Sequence, residues 1–394
     1  MDSAEQKGHT LNPEVAPQAD INEDLLPDEE DLISIATPRQ LMWWKFRKHR
    51  LAIVSSIVLI ISYVLAIFAG FITPYDPNSF DAAYKFVPPM SITFINADGN
   101  FSLQPGVNGL IMNRDPETLR ITYEVDPSVW YPIHFLVHGD TYKFFGLFET
   151  DLHLFGLGEE AQGFRYMPLG SDRLGRDMFS RVLYGAQISL FIGLVAVFLS
   201  LALGIVLGGM SGYYGGWVDN LIQRIIEFIR SMPTLPLWMA LSAALPADWP
   251  QEWRFFGITI ILSVIGWTSL GRQVRGRFLA LRTEDFVLAA RLSGAKDRRV
   301  ILRHMVPSFT SHIIASLTLS IPGIILAETA LSFLGLGLRQ PAISWGVLLQ
   351  EAQNIRTVAL APWLLIPGLA VVITVLAFNF LGDGLRDAAD PFSR

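Results

Sequence analysis

The chain has 394 residues, of which 51% are hydrophobic and 17% charged, so it is too apolar for an ordinary soluble protein and not apolar enough to lie wholly within a membrane. It contains no cysteine, which excludes disulfides, iron–sulfur centres and thiolate zinc sites. Its net charge of −6 comes from residues 1–42, where ten acids face two bases; the remainder carries about +2, and nucleic-acid binding is not indicated.

Residues 1–42 are acidic, interrupted by prolines and poor in aromatic side chains. Such a segment buries too little apolar surface to offset the entropy of ordering, so we predict a disordered tail. The following Trp43 to Arg50 alternate aromatic and basic side chains, which suits a headgroup region on the cytoplasmic side of a membrane. The alternative is a solvated basic turn.

Six apolar runs follow, and a run of about twenty residues crosses a bilayer as a helix. The first has no small-residue cleavage site at its end, so we predict a retained span and not a signal peptide. Pro233 and Pro236 predict a kink in the third, and Pro322-Gly323 predicts a break in the fifth, which also carries Glu328. The predicted spans cover residues 51–72, 188–210, 231–247, 255–271, 313–338 and 357–382.

The insert between the first two spans, residues 73–168, has strand-like alternation over residues 119–125. The dipeptides Asp98-Gly99 and Asn108-Gly109 indicate turns, so we predict a small β-containing domain on the outer, periplasmic side. His134 and His138 are four apart, as metal ligands on a helix would be, but this stretch is typical of a strand or loop. No metal site is therefore predicted.

A polar loop, residues 272–311, separates the fourth and fifth spans. Its nine bases against three acids place it in the cytoplasm by the positive-inside rule. Counting spans from the basic N-terminal anchor gives the same side, so both termini are predicted to be cytoplasmic.

Within this loop, Glu284 and Asp285 are placed where carboxylates favour the start of a short helix. Ala289, Ala290 and Gly294 are small enough to let such a helix lie close to a partner. The Ala-Ala pair, the Gly four residues later and Pro307 thirteen beyond it resemble the "EAA" signature of ABC-importer permeases. The family's Glu falls on Leu288 here. The alternative is a basic loop with an incidental Ala-Ala-x-x-x-Gly.

A second motif supports the resemblance. Residues 169–190, with Leu174-Gly175-Arg176-Asp177 at their centre, closely resemble the segment before the second span of oligopeptide/dipeptide/nickel permeases. Asp172 could cap the helix that follows, and Asp177 and Arg181 lie four apart on one face. The resemblance covers the first span and most of residues 169–394, and it includes these shorter matches: 212–216, 331–337, 382–387 and Asp390-Pro391.

The resemblance implies an all-α polytopic membrane protein with the six-span core of a type I ABC importer permease (MetI-like), in the role of the second permease subunit. Such a chain sits in the bacterial inner membrane, surrounded by lipid, with a sister permease, two P-loop ATPase subunits and a periplasmic substrate-binding protein. Residues 284, 285, 289, 290, 294 and 307 would couple it to the ATPases. Peptides are the expected substrate; nickel chelates, opines and glycosides are also compatible.

The chain itself is predicted to be non-catalytic and to hold no cofactor or metal. A P-loop needs Gly-Lys-Ser/Thr, and none of the six lysines follows a glycine, so ATP and Mg would bind to the partner ATPases. Glu328 is interpreted either as a pathway or gate residue, or as a carboxylate hydrogen-bonded to a neighbouring helix. The rival function is an ion-driven carrier or channel, for which Glu328 is the one clear buried ionisable group in the predicted spans.

Overall fold

The computed structural model describes residues 38–114, 116–117, 121–144, 148–161, 163–246 and 248–389. Most of the predicted disordered tail, residues 1–37, and the Asp390-Pro391 match lie outside the described residues. Residues 38–42 are not disordered as predicted, because they form the first turn of helix α1, Pro38–Lys48. Leu41 and Trp44 there are helix-compatible residues, and Pro38 suits a first helical position.

Among the described residues, five helices are long and apolar enough to cross a membrane: α2 (Arg50–Ile67), α3 (Met178–Tyr214), α6 (Gln251–Leu281), α8 (Thr310–Phe333) and the stretch Pro362–Ala389, whose regular part is α9 (Ile366–Ala389). The remaining predicted span is divided. Helix α4 (Gly216–Ser231) ends at Ser231 and is followed by the extended Met232. Pro233 then leads into α5 (Thr234–Ala243), an apolar helix of only ten residues. The kink predicted at Pro233 is confirmed and is a complete break in the helix. The count of six spans stays a prediction.

The predicted break at Pro322-Gly323 is wrong, because α8 is continuous with Pro322 in its interior. Proline removes one N–H from the helix, and membrane helices tolerate this where neighbouring groups satisfy the freed carbonyl. Pro322 is buried against the other helices, and their packing holds this part of α8 in place.

The insert contains an antiparallel sheet in the order β1-β2-β3-β4, with strands Ile92–Ile95, Phe101–Arg114, Ile121–Phe144 and Phe148–Leu157. The Asp98-Gly99 turn is confirmed, with Gly99 at φ +77° and its N–H bonded to Asn96 O. Asn108-Gly109 is not a turn: it lies within β2 at a bulge, where Gly109 allows the close approach of Val129. His134 and His138 lie on β3, and no metal-binding cluster occurs among the described residues.

The segment before α3 is held in place by buried charged side chains. Asp177, not Asp172, caps α3, because its carboxylate accepts the N–H groups of Phe179 and Ser180. Asp172 instead accepts Arg176 Nε at 2.6 Å, and Arg181 lies 3.6 Å from the same carboxylate. Arg176 and Arg181 thus form an ion cluster around Asp172, which the sequence did not predict.

The bundle has two distinct ends. The start of α6 lines a cavity together with insert residues Asp76 and Asp140, and the end of α6 packs against residues 287–309. Since α6 has 31 residues, these ends are about 45 Å apart. We call them the insert end and the loop end. Helix α2 finishes where the insert begins, so its start and α1 lie at the loop end.

Candidate functional site

The predicted coupling segment forms helix α7, Asp285–Leu292, which lies at the loop end between α6 and α8. Glu284 is its extended N-cap residue, and the Glu284 carbonyl accepts the N–H groups of Val287 and Leu288 at 3.0 and 3.1 Å. Asp285 occupies the first turn, where a carboxylate interacts favourably with the helix dipole. Both acids therefore lie at the start of the helix.

The end of α7 is closed by a Schellman motif. The N–H of Gly294 bonds to Arg291 O at 2.9 Å, and the N–H of Ala295 bonds to Ala290 O at 3.1 Å. Gly294 has φ +78°, a conformation that favours glycine, and an added Cβ would meet nothing within 4 Å. Within this chain Gly294 therefore serves the backbone turn and not close packing. Ala290 and Ala295 pack into the same apolar cluster, and an apolar contact between these two positions commonly accompanies a Schellman motif.

The inner side of α7 is fixed by packing. Val287 is fully buried in a cluster with Phe278 of α6, Met305 and Ile313 of α8. Because Val287 belongs to one apolar cluster with residues of both flanking helices, this cluster packs α7 against the ends of α6 and α8.

Tyr213, near the end of α3, makes two further contacts with this loop. The guanidinium of Arg291 lies 4.6 Å from the centre of the Tyr213 ring. The Tyr213 hydroxyl donates to Asp297 Oδ1 at 2.6 Å. Sequence reasoning missed this role, although Tyr213 lies in the Gly212–Gly216 match, because nothing local shows that the tyrosine meets residues about eighty positions later.

The outer face of α7, defined as Phe286, Leu288, Ala289 and Leu292, is exposed. Phe286 and Leu288 are each 42% exposed and Leu292 is 89% exposed, values that are high for large apolar side chains on a polar loop. Next to this face lie four exposed cations that form no ion pair within the part of the chain the structure describes. We call them the basic face: Lys296, Arg298, Arg299 and Arg303.

Two predicted residues lie away from this face. Pro307 is exposed in the short helix Val306–Ser308, which leads into α8. Glu328 is fully buried further along α8, where its carboxylate accepts the hydroxyls of Ser332 at 2.8 Å and Ser189 at 3.3 Å. The structure does not bring Glu328 together with the residues of α7.

The two serines extend this polar contact into the segment that follows α8. Ser332 Oγ accepts the N–H of Leu338, and Ser189 Oγ accepts the N–H of Trp345, each at 3.1 Å. Glu328 therefore joins α3, α8 and residues 338–345, which matches the second of its two interpretations. The serine four residues after Glu328 was the available sequence signal.

Comparison with known proteins shows to which family this chain is similar. A family model described as the inner membrane component of binding-protein-dependent transport systems matches residues 204–394. A second, described as the N-terminal transmembrane domain of oligopeptide transport permease C, matches residues 37–89.

The chain is 34% identical to the glutathione transport system permease protein GsiD of Escherichia coli O6:K15:H31, over 91% of either chain. It is 39% identical to the oligopeptide transport system permease protein OppC of Bacillus subtilis, over 56% of this chain and 70% of that one. An amino acid ABC transporter structure aligns at 17% identity and a TM-score of 0.39, over 52% of this chain and 91% of that one, a likeness too weak to bear on the fold. The chain therefore belongs to the family of inner-membrane components of binding-protein-dependent transport systems and is a multi-pass permease subunit of an ABC importer.

Proposed function

We propose that this permease imports short peptides and that α7 is the element through which separate ATPase subunits drive it. The observation that carries the proposal is the construction of α7: its inner side is locked by Val287 and the Schellman motif, and its outer face presents Phe286, Leu288 and Leu292. A rigid helix with an apolar outer face fits the helix-in-groove mode of recognition.

The contacts of α7 give the coupling a physical route. A push on the outer face reaches α6 and α8 through the apolar cluster that contains Val287, and reaches α3 through Arg291 and Tyr213. Close-packed side chains are hardly compressible, so movement of α7 would move the ends of these helices instead of being absorbed locally. The chain would form its pathway with a sister permease and receive substrate from a binding protein, with ATP and Mg bound on the ATPases.

The substrate class rests on the relatives, which are described as permeases for glutathione and for oligopeptides. We also propose that α7 and both termini lie in the cytoplasm, because the loop 272–311 has the excess of basic residues that is typical of cytoplasmic loops. An ion-driven carrier is disfavoured, since Glu328 is enclosed by serine hydroxyls from two helices.

The test is co-purification of the tagged chain, in mild detergent, with the ATPase subunits expressed alongside it. Leu292→Asp places a charge at the most exposed apolar position of the outer face and should reduce recovery of the ATPases at least tenfold. Leu103→Asp in β2 is the matched control, because Leu103 is also 89% exposed but lies at the insert end.

Equal loss of the ATPases in both variants would point to general damage and not to α7. Full recovery with Leu292→Asp would contradict the coupling proposal. The substrate is tested separately, by uptake of labelled di- to pentapeptides into vesicles that contain the whole importer.

A further inference from the structure

We propose that the acidic segment Asp20–Ile35 of this chain binds to the basic face at the loop end and competes there with the ATPase. The segment has seven acids and no base, and its apolar residues are interspersed among them: Ile21, Leu25, Leu26, Leu32, Ile33 and Ile35. Nothing in the permease role described above uses it.

The surface of the loop end complements this composition. Lys296, Arg298, Arg299 and Arg303 are exposed and, among the described residues, form no salt bridge, and Leu292 and Leu302 beside them are 89% and 53% exposed. Two other cations of the loop do have partners: Arg275 pairs with Asp219 at 2.6 Å, and Arg291 lies over Tyr213. The basic face is thus both charged and partly apolar, as is the acidic segment.

The tether makes the contact feasible. The described chain begins at Pro38 in α1, which lies at the loop end, and the acidic segment ends only two residues before it. A flexible linker keeps its two ends at an effective concentration of about 1 mM. A free segment that binds with a Kd near 0.1 mM would therefore occupy its site about nine-tenths of the time when tethered, and would weaken a competitor about tenfold.

The competition part rests on the proposed function, because it needs the ATPase to use the same surface, whereas the docking part does not. Docking is tested first, without ATPase. A fluorescent peptide of residues 20–35 is titrated with the chain lacking residues 2–37, in detergent at low salt, and binding is followed by anisotropy.

The paired variant Arg298→Gln/Arg299→Gln should weaken peptide binding about 2- to 30-fold, as expected for the loss of two exposed ion pairs. The matched control, Arg114→Gln/Lys143→Gln, removes two exposed cations from the sheet and should leave binding unchanged. A peptide with Asp28, Glu29, Glu30 and Asp31 made neutral should not bind, and 1 M salt should abolish binding of the native peptide because the Debye length falls to about 3 Å. No binding, or binding unaffected by the arginine pair, overturns the proposal.

Competition is then measured as ATPase affinity for the full chain and for the chain lacking residues 2–37. The shortened chain should bind about tenfold more tightly at low salt, and the difference should vanish at 1 M salt. Equal affinities would overturn the competition. If neither form bound ATPase, the proposed function would fail while the peptide titration would still decide whether the segment docks.

Discussion

Replacement of Gly294 tests why a glycine stands at this position. Gly294→Ala should destabilise the end of α7 by about 1–2 kcal/mol, the cost of a left-handed conformation for a residue with a Cβ. No steric term is added, since a Cβ would meet nothing within 4 Å in this chain. The bond from Ala295 N–H to Ala290 O should therefore open about 5- to 30-fold more often.

Hydrogen exchange of a peptide covering residues 288–296, read by mass spectrometry, measures this opening. Gly276 provides the matched control, because a Cβ there also meets nothing within 4 Å, but Gly276 lies inside α6 without a positive φ. Gly276→Ala should leave exchange at α7 unchanged and should stabilise α6 by up to about 1 kcal/mol.

Gly294→Asn separates the backbone explanation from close seating against a partner. Asparagine is larger than alanine but tolerates the left-handed conformation better, so exchange in Gly294→Asn should be slower than in Gly294→Ala. ATPase-coupled uptake should follow the same order. If alanine instead supports more uptake than asparagine, glycine is needed for its size against another subunit, and the backbone argument is refuted.

The other predictions concern buried polar groups, and each is checked by thermal unfolding in detergent. Glu328→Ala should lower the free energy of unfolding by about 1–3 kcal/mol, because the Ser332 and Ser189 hydroxyls lose their acceptor. Glu328→Gln keeps one acceptor oxygen and should lower it by less. Arg176→Leu should lower the free energy of unfolding by about 3–5 kcal/mol, because the buried carboxylates of Asp172 and Glu351 lose their nearest cation. The exposed Arg173→Leu should lower it by less than about 1 kcal/mol. Burial raises the pKa of Glu351, so its contribution to stability is complete below the ordinary carboxyl pKa and is lost as the pH rises through the raised one. Glu351→Gln should remove this pH dependence of stability above the ordinary carboxyl pKa.

Much of the fold could be predicted from composition, because the bilayer requires long apolar helices and the insert follows strand periodicity. The positions at which helices break were harder to predict. Pro233 ends a helix and Pro322 does not, although both are prolines in apolar surroundings. The difference lies in tertiary packing: Pro322 is buried among other helices, whereas Pro233 is exposed. Packing of this kind is not visible in the local sequence.

The site shows the same division. The position of α7 and of its acids could be predicted, since helix starts carry local signals. The reason for a glycine at position 294 could not be predicted, because a need for small size and a need for a left-handed φ both select glycine. Likewise, Asp172 was predicted to cap α3, and only the positions of Arg176 and Arg181 show that Asp172 holds an ion cluster while Asp177 is the cap.

The two ends of the bundle are fastened by different forces, and this bears on where the permease can move. At the insert end, Arg176 joins Asp172 at 2.6 Å and Glu351 at 3.0 Å in a buried cluster, which is directional and costly to break. At the loop end, the polar pairs Tyr213–Asp297 and Arg275–Asp219 lie nearer the surface, and α7 itself is held by the apolar cluster around Val287 and by the ring of Tyr213. Apolar contacts are not directional, so helices packed this way can slide by small amounts while remaining in contact. We therefore expect rearrangement during transport to begin at the loop end, with the ion cluster as the fixed point. A cross-link that joins residues 172 and 351 should leave transport intact, and a cross-link there that stops transport would refute this assignment.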